Sequence, residues 1–174
     1  LSDAELSEFY TASVRVGNKE DGYQTVWSKK VRKNESFDLP TDEEIKELIG
    51  WSGDKYEEGT GYGDTVTTGQ TLIDNKVFDY NVNYKKYKVT VEGIQNEDGT
   101  TESRDYYAKF GEAFDFSDLA ATKTSDKEKS IYTKFANVTT DAKIVENNPL
   151  DLTAKINKEM AASLNDGVTA TANY

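Results

Sequence analysis

The fold is decided by residues 66–93, which read VTTGQTLIDNKVFDYNVNYKKYKVTVEG. In the middle of this stretch, apolar or aromatic side chains alternate strictly with polar ones. One face carries Phe78, Tyr80, Val82 and Tyr84, and the other carries Asp79, Asn81 and Asn83. Alternation of this length predicts a strand with one buried and one solvated face. Two lysines follow and the alternation restarts at Tyr87, so we interpret the stretch as the junction between two copies of a repeat.

Comparison of the chain with itself supports two copies. At an offset of 77, residues 10–38 align with residues 87–115 without a gap, and 8 of the 29 pairs are identical. Composition alone would give about two identities over that length. At an offset of 72, residues 66–80 align with residues 138–152, where Val-Thr-Thr recurs. The shorter offset predicts that the second copy has fewer residues in its middle than the first.

These alignments divide the chain into four parts. They are an N-terminal segment (1–9), a first repeat unit (10–84), a second repeat unit (85–156), and a C-terminal hairpin or start of a third unit (157–174). The first nine residues are either a short helix or the tail of a preceding repeat. Helix propensity favours a helix over Asp151–Leu164, but the second alignment favours an alternating strand over Leu150–Ile156. On that interpretation, Met160–Leu164 opens a third hairpin.

Each unit is predicted to have an α+β fold consisting of a hairpin, a short helix and two short strands, with mostly antiparallel pairing. The hairpin turns are expected at residues 18–22 and 96–99, because Asp-Gly supplies the positive φ that a tight return needs. In the first unit, Thr41–Gly50 begins with the spacing of a capping box and ends on a glycine. The second helix is expected within residues 117–135.

The composition excludes several classes of function. The chain has 21 Lys and Arg against 32 Asp and Glu, a formal charge of −11, so nucleic acid and anionic membranes are not expected partners. It has no Cys and no His, which removes disulfides, thiolate metal sites and the commonest general base. No apolar run approaches the length of a membrane span, so no membrane insertion is expected within this segment.

No pattern of residues indicates catalysis. The acidic turn at residues 96–102 offers oxygen ligands but lacks the spacing of a calcium loop, so we interpret it as a hairpin turn. The Gly59-x-Gly61-x-Gly63 segment is too short for a dinucleotide or phosphate motif and is interpreted as a flexible loop. No two of the 32 acids stand out as a hydrolytic pair. No catalytic residue, metal site or cofactor is therefore predicted, and we expect a protein that is not an enzyme.

Aromatic side chains are the remaining candidates for a ligand site. Trp27, Trp51, Tyr62 and Tyr84 are the candidate ligand-binding residues, because an exposed ring can stack on a sugar or fill a pocket in a partner. The alternative is that these rings pack across strands in the core, as aromatics in strands commonly do.

The order of elements resembles the β-grasp-like repeats of bacterial surface proteins, of the Listeria–Bacteroides or internalin B-repeat kind. The first unit offers Leu39-Pro40, Gly50-Trp51, and Val66-Thr67 followed by Leu72. The second offers Val138-Thr139 followed by Ile144, but it lacks the Gly-Trp pair and the proline. The resemblance implies two tandem β-grasp-like repeats in an exported protein, without known catalytic residues.

The function expected from this resemblance is a tandem-repeat spacer or stalk segment of an extracellular, cell-wall-associated bacterial surface protein, contributing to adhesion. Its partners would be the neighbouring domains of a longer protein and a host glycan or protein. Two alternatives remain open. One is a glycan- or protein-binding module that uses exposed aromatics, and the other is a structural subunit of a virion or surface layer.

Overall fold

The computed structural model describes residues 8–96, 98–120, 123–126, 131–145 and 148–174. The chain divides into two compact units, Leu1–Tyr84 and Lys85–Tyr174. Most of the expected N-terminal segment, residues 1–7, lies outside the described residues. In the part of the chain that is described, no helix is long and apolar enough to cross a membrane.

In the described part of the first unit, residues 8–84, the chain forms a four-stranded sheet with one helix. Its elements are β1 (Phe9–Asn18), β2 (Gly22–Arg32), α1 (Asp42–Leu48), β3 (Tyr56–Gly61) and β4 (Lys76–Tyr84). The strand order is β2-β1-β4-β3. The β1–β2 and β3–β4 pairs are antiparallel, whereas β1 and β4 are parallel. The predicted hairpin and helix are therefore present, and the first and last strands lie side by side in the middle of the sheet.

Local sequence explains why these elements begin and end where they do. Gly22 closes the first hairpin with φ +87°, a backbone conformation that favours glycine. Thr41 caps α1 by accepting a hydrogen bond from the Glu44 backbone, and the Glu44 side chain accepts one from the Thr41 backbone. This is the capping box that the spacing predicts. After the helix, Gly50 takes φ +62° and turns the chain away.

The core of the first unit follows the predicted alternation. Phe78, Tyr80 and Val82 of β4 are buried, while their polar neighbours face outward. Val14 of β1 and Ile45 of α1 are completely buried beside them. Burying an aliphatic side chain of this size is worth roughly 1.5–3 kcal/mol, so the helix is held mainly by its apolar face.

The segment before α1 and the segment before β4 close the core by pairing with each other. The Phe37 and Gln70 backbones exchange two hydrogen bonds, and the Leu39 N–H donates to the Thr67 carbonyl at 2.7 Å. Leu72, at the end of the second segment, is buried. Of the two short strands predicted for the end of the unit, after the Gly-rich segment, only the second is present, as β4. The Val66–Leu72 stretch, which would have been the first, forms only the isolated Phe37–Gln70 bridge, and β3 lies instead in the segment that was interpreted as a loop.

Among the described residues, the second unit has more elements than the first. They are β5 (Lys86–Gln95), β6 (Thr101–Lys109), α2 (Ser117–Ala120), β7 (Lys123–Asp126), β8 (Ile131–Lys134), β9 (Asn137–Thr139), β10 (Lys143–Val145), β11 (Asn148–Pro149), α3 (Lys158–Leu164) and β12 (Val168–Asn173). The main sheet has the order β6-β5-β12-β9, with β5 and β12 parallel, and two ribbons, β7–β8 and β10–β11, are separate from it.

The prediction for the C-terminal part is wrong. Residues 157–174 form neither a hairpin nor a new unit, because Lys158–Leu164 is helix α3 and Val168–Asn173 pairs with β5 and β9 inside the second sheet. The second unit accordingly extends to Tyr174 rather than ending at residue 156. Asn157 caps α3, and the helix buries Met160, Ala161 and Leu164 at helical spacing. Helix propensity, which favoured a helix over Asp151–Leu164, is thus correct only from Lys158 onward.

The segment expected as an alternating strand, Leu150–Ile156, is a turn region. Its apolar side chains still enter the core, since Leu150, Leu152 and Ile156 are buried. The segment is irregular but runs over the core, so its alternate side chains are buried. The alternation of apolar residues thus predicted the buried positions but not the backbone conformation.

The two units nevertheless share a detailed correspondence at the offset of 77. Asn34 and Gly111 follow the two hairpins at equivalent positions, and both have positive φ, +64° and +83°. The Asn34 N–H donates to the carbonyl of Leu72 at 2.9 Å, and the Gly111 N–H donates to that of Ile156 at 2.8 Å. Leu72 is therefore equivalent to Ile156, which contradicts the alignment at an offset of 72.

The parallel strand pairs show which last strands are equivalent in the two units. Val14 pairs with Phe78 in the first sheet, and the identical Val91 pairs with Ala170 in the second. The counterpart of β4 is thus β12, and the second unit is longer between its first and last strands than the first unit, not shorter.

Candidate functional site

An irregularity in β3 creates the most distinctive surface of the first unit. Tyr56 and Glu57 pair with Tyr84 and Asn83, but the next pair is Gly61 with Asn81. Three residues of β3, 58–60, therefore stand opposite a single residue of β4. We call residues 58–60 the β3 bulge.

Gly59 allows the β3 bulge to lie flat against β4. A Cβ atom at this position would come within 3.1 Å of the Val82 Cα and 3.2 Å of the Asn81 carbonyl oxygen. Gly61, which follows the bulge, has φ +63°. The prediction of a flexible Gly-rich loop is therefore wrong for Gly59 and Gly61, which belong to a strand. Gly59 serves close backbone approach, whereas Gly61 adopts a positive φ.

Two clefts flank the bulge and share its residues as a wall. The inner cleft, of about 260 Å³, is lined by Asp42, Lys46, Trp51, Glu58, Gly59, Thr60, Gly61, Tyr80, Asn81 and Val82. The outer cleft, of about 460 Å³, is lined by Asn18, Lys19, Tyr23, Glu58, Gly59, Thr60, Asp79, Asn81, Val82 and Asn83. The outer cleft includes the polar face of β4, and the inner cleft lies beside α1.

A polar contact between α1 and β4 dominates the inner cleft. The Tyr80 hydroxyl donates to Asp42, and Lys46 forms an ion pair with the same carboxylate at 3.1 Å. The hydrogen bond from Tyr80 is the main cause that lowers the pKa of Asp42. Burial, followed by this hydrogen bond, raises the pKa of Tyr80. The carboxylate is thus held ionised and fixed by strand and helix together.

In the outer cleft, the side chains that point away from the core form a connected set. Arg15 of β1 contacts both carboxylate oxygens of Asp79, at 2.5 and 3.2 Å. The same guanidinium lies 3.9 Å from the centre of the Tyr23 ring. The Tyr23 hydroxyl donates to Asn81 Oδ1 at 2.8 Å. The hydrogen bond to Asp79 is the main cause that raises the pKa of Arg15. The outer cleft therefore has a floor whose side chains are held in place by one another.

The sides of the outer cleft are also anchored. Asn18, at the end of β1, donates to the Val82 carbonyl at 2.8 Å and accepts from the Asp21 N–H at 2.7 Å. Asn83 donates to the Glu58 carbonyl at 3.1 Å. The first hairpin turn and the β3 bulge are thus both tied to β4.

The structure brings together two of the four aromatic residues proposed from the sequence. Trp51 stacks on Tyr56 with a centroid distance of 4.8 Å and an interplanar angle of 10°. Tyr56 in turn contacts Tyr84 at 5.4 Å. Lys46 Nζ lies 5.1 Å from the Trp51 ring. Trp51 and Tyr84 therefore belong to one row of rings beside the inner cleft, joined by Tyr56.

The other two predicted residues lie apart from this row. Tyr62 meets the Tyr80 ring edge-on at 5.1 Å and donates its hydroxyl to the Pro40 carbonyl at 2.9 Å. Burial raises the pKa of Tyr62 to about 12. Trp27 of β2 pairs with Val14 and is half-buried against the core. All four rings pack against the core of the first unit.

Sequence reasoning identified part of the outer cleft without assigning it a role. The solvated face of β4 was predicted from alternation, and it supplies Asp79, Asn81 and Asn83. Lys19 and Glu58 were missed. The available signal for Glu58 was the glycine that follows it, because an isolated glycine in a strand often marks a bulge.

The second unit carries a smaller charged cluster. Arg104 forms ion pairs with Glu102 and with Asp118, the latter at 2.5 Å, and the Tyr106 hydroxyl also donates to Asp118. This cluster ties α2 to β6. Within the described ranges, no group of three or more acidic side chains is placed to hold a metal ion.

Comparison with known proteins gives limited similarity. No family model and no curated protein matches the chain. Among solved structures, the chain is similar to the type 2 repeat of the mucus binding protein MUB from Lactobacillus reuteri, with 15% identity and a TM-score of 0.28, covering 94% of this chain and 98% of that one. It is also similar to Mub-RV, with 14% identity and a TM-score of 0.27, covering 95% of this chain and 100% of that one. TM-scores this low do not establish a common fold.

Proposed function

We propose that the chain is a pair of tandem, non-catalytic repeats that form a spacer segment of an exported bacterial surface protein and contribute to adhesion. The observation that best supports this proposal is that the same turn, with the same backbone hydrogen bond, occurs in both units. Asn34 and Gly111 each turn the chain after a hairpin with positive φ, and each donates to the carbonyl of a buried aliphatic residue, Leu72 or Ile156. Duplication of a unit accounts for this agreement in two sequences that have otherwise diverged.

The proposal includes the fold type of the repeats. In each unit, a hairpin is followed by helix-containing connections and a last strand that runs parallel to the first, between two neighbours. We assign this arrangement as β-grasp-like, with repeat units at residues 10–84 and 85–174. The expected surroundings are extracellular, with further domains of a longer protein as neighbours.

A localisation experiment tests the proposal. Antibodies raised against the purified chain are applied to intact and lysed cells of the source bacterium, with and without brief external trypsin treatment. We expect labelling of intact cells that trypsin removes, while a cytoplasmic marker is labelled only after lysis. Labelling that appears only in lysed cells, together with the marker, would contradict a surface role.

A second candidate function, a ligand-binding module, is favoured by one observation, the ordered polar floor of the outer cleft. That floor is distinct from the aromatic row containing Trp51 and Tyr84.

A further inference from the structure

We propose that the outer cleft of the first unit binds a neutral saccharide. This inference goes beyond a spacer role, because it assigns a ligand class and a site to residues that the repeat architecture alone does not require. It rests on the size of the cleft, the balance of its charges, and the side chains that line it without a protein partner.

The cleft is large enough for a small ligand and is bounded on two sides. Its volume of about 460 Å³ falls within the range typical of small-molecule sites, roughly 300–1,000 Å³. One side is the first hairpin turn with Asn18 and Lys19, and the other is the β3 bulge with Glu58 and Thr60. The anchoring of both sides to β4 means that little ordering is needed on binding.

The charges of the cleft balance, which argues against an ionic ligand. Asp79, at the floor, is neutralised by its ion pair with Arg15, which does not itself line the cleft. Lys19 and Glu58 place one positive and one negative group at the sides. The chain as a whole has a formal charge of −11, so an anion would also be repelled at long range.

Hydroxyl-rich ligands match the hydrogen-bonding groups that remain. Within the described part of the chain, the side chains of Lys19, Glu58 and Thr60 make no hydrogen bond or ion pair. Asn81 accepts from Tyr23 through Oδ1, which leaves its NH₂ group able to donate to a ligand. The Lys19 ammonium and the Asn81 amide can therefore donate to a ligand, and the Glu58 carboxylate can accept from it. A sugar hydroxyl both donates and accepts, so it can bond to either kind of group.

The one aromatic ring in the cleft suits the same ligand class. Tyr23 lines the cleft and is fixed by Arg15 against its ring and by its hydrogen bond to Asn81. A fixed ring provides apolar surface for the C–H face of a sugar with little loss of side-chain entropy.

A peptide is a poorer match. Peptide sites generally offer deep apolar pockets or a regular strand edge. Here the lining residues offer no accessible aliphatic side chain, because the Val82 side chain is buried in the core, and the bulge interrupts the pairing of β3. The favoured ligand is thus a saccharide rather than a peptide.

The test is an NMR titration of the full ¹⁵N-labelled chain with the methyl glycosides of glucose, galactose, mannose and N-acetylglucosamine, up to about 50 mM to reach weak binding. We expect at least one glycoside to shift amide signals of residues 18–23, 58–60 and 79–83 in a saturable way. Glu58→Ala and Lys19→Ala should each weaken that binding about tenfold, since each removes a charged hydrogen-bonding partner.

Two matched variants control for changes unrelated to the cleft. Glu57→Ala removes the neighbouring exposed acid, and Lys29→Ala removes an exposed lysine of β2; neither residue lines the cleft. Both should bind as the unaltered chain does. The proposal is overturned if no glycoside shifts the outer-cleft signals, if the shifts centre on Trp51 instead, or if Glu58→Ala binds as tightly as Glu57→Ala. These outcomes are independent of where the protein is located on the cell.

Discussion

The hydrogen bond from Tyr80 to Asp42 links the last strand of the first unit to its helix. Asp42 is about half exposed, with 52% of its side chain accessible, whereas Tyr80 is buried. The carboxylate form of Asp42 is favoured because it accepts from the tyrosine, and its pKa in the folded chain is lowered. A lowered pKa in the folded state stabilises the fold above the pKa of the unfolded chain, about 3.9 for aspartate.

A pH series tests this contact. The contribution of Asp42 should be complete above about pH 4–5 and should be lost as the pH falls through its lowered pKa. Asp42→Asn should therefore reduce the free energy of unfolding at pH 6 by up to about 1 kcal/mol, a small value because solvent screens the half-exposed carboxylate. In the variant, the free energy of unfolding should also decrease less steeply between pH 6 and pH 2 than in the unaltered chain. Urea unfolding at a series of pH values between 6 and 2 measures this free energy for both chains. Asp64→Asn, in the exposed loop after β3, serves as the control, and equal curves for the two variants would refute the link.

Among secondary-structure elements, helix α1 is short, and a capping box adds to the stability that its buried face provides. Thr41 satisfies the Glu44 N–H, and Glu44 returns a hydrogen bond to the Thr41 backbone. We expect Thr41→Ala to lower the free energy of unfolding by about 1 kcal/mol, because the cap is lost, while Thr41→Ser retains it. Chemical denaturation of both variants is the measurement. Equal losses for Ala and Ser would show that the methyl group of Thr41, not its hydroxyl, matters.

The sequence predicted those elements whose cause is local. Both hairpins and α1 follow from Asp-Gly turns, alternation and a capping box, all contained within a few residues. The partner of β5 could not be predicted in this way, because a parallel pair depends on contacts between distant segments. Because Val-Thr-Thr recurs, the alignment made residues 138–152 equivalent to residues 66–80. The strand pairing shows instead that Ala170 is the counterpart of Phe78. The β3 bulge, which forms one side of the outer cleft, also depends on pairing with a strand that is distant in sequence, β4.

For the whole chain, each unit has its most protected strands in the middle of a sheet. β1 and β4 have neighbours on both sides in the first unit, as do β5 and β12 in the second. We expect the slowest amide hydrogen exchange in these four strands, and faster exchange in β3 and in the β10–β11 ribbon. Exchange measured by NMR or mass spectrometry tests the assignment of β12 to the second unit. Rapid exchange throughout residues 168–173 would instead favour a separate C-terminal segment.

The parallel pairing of first and last strands has a mechanical consequence for each unit. When a unit is pulled by its two ends, β1 and β4 are drawn in opposite directions along their common ladder, which joins Ala12–Gly17 to Lys76–Asn81. The load is then shared by all the hydrogen bonds of that ladder at once, as in shear, instead of breaking them one after another as in unzipping. The same holds for β5 and β12. Each unit should therefore resist being stretched by its two ends.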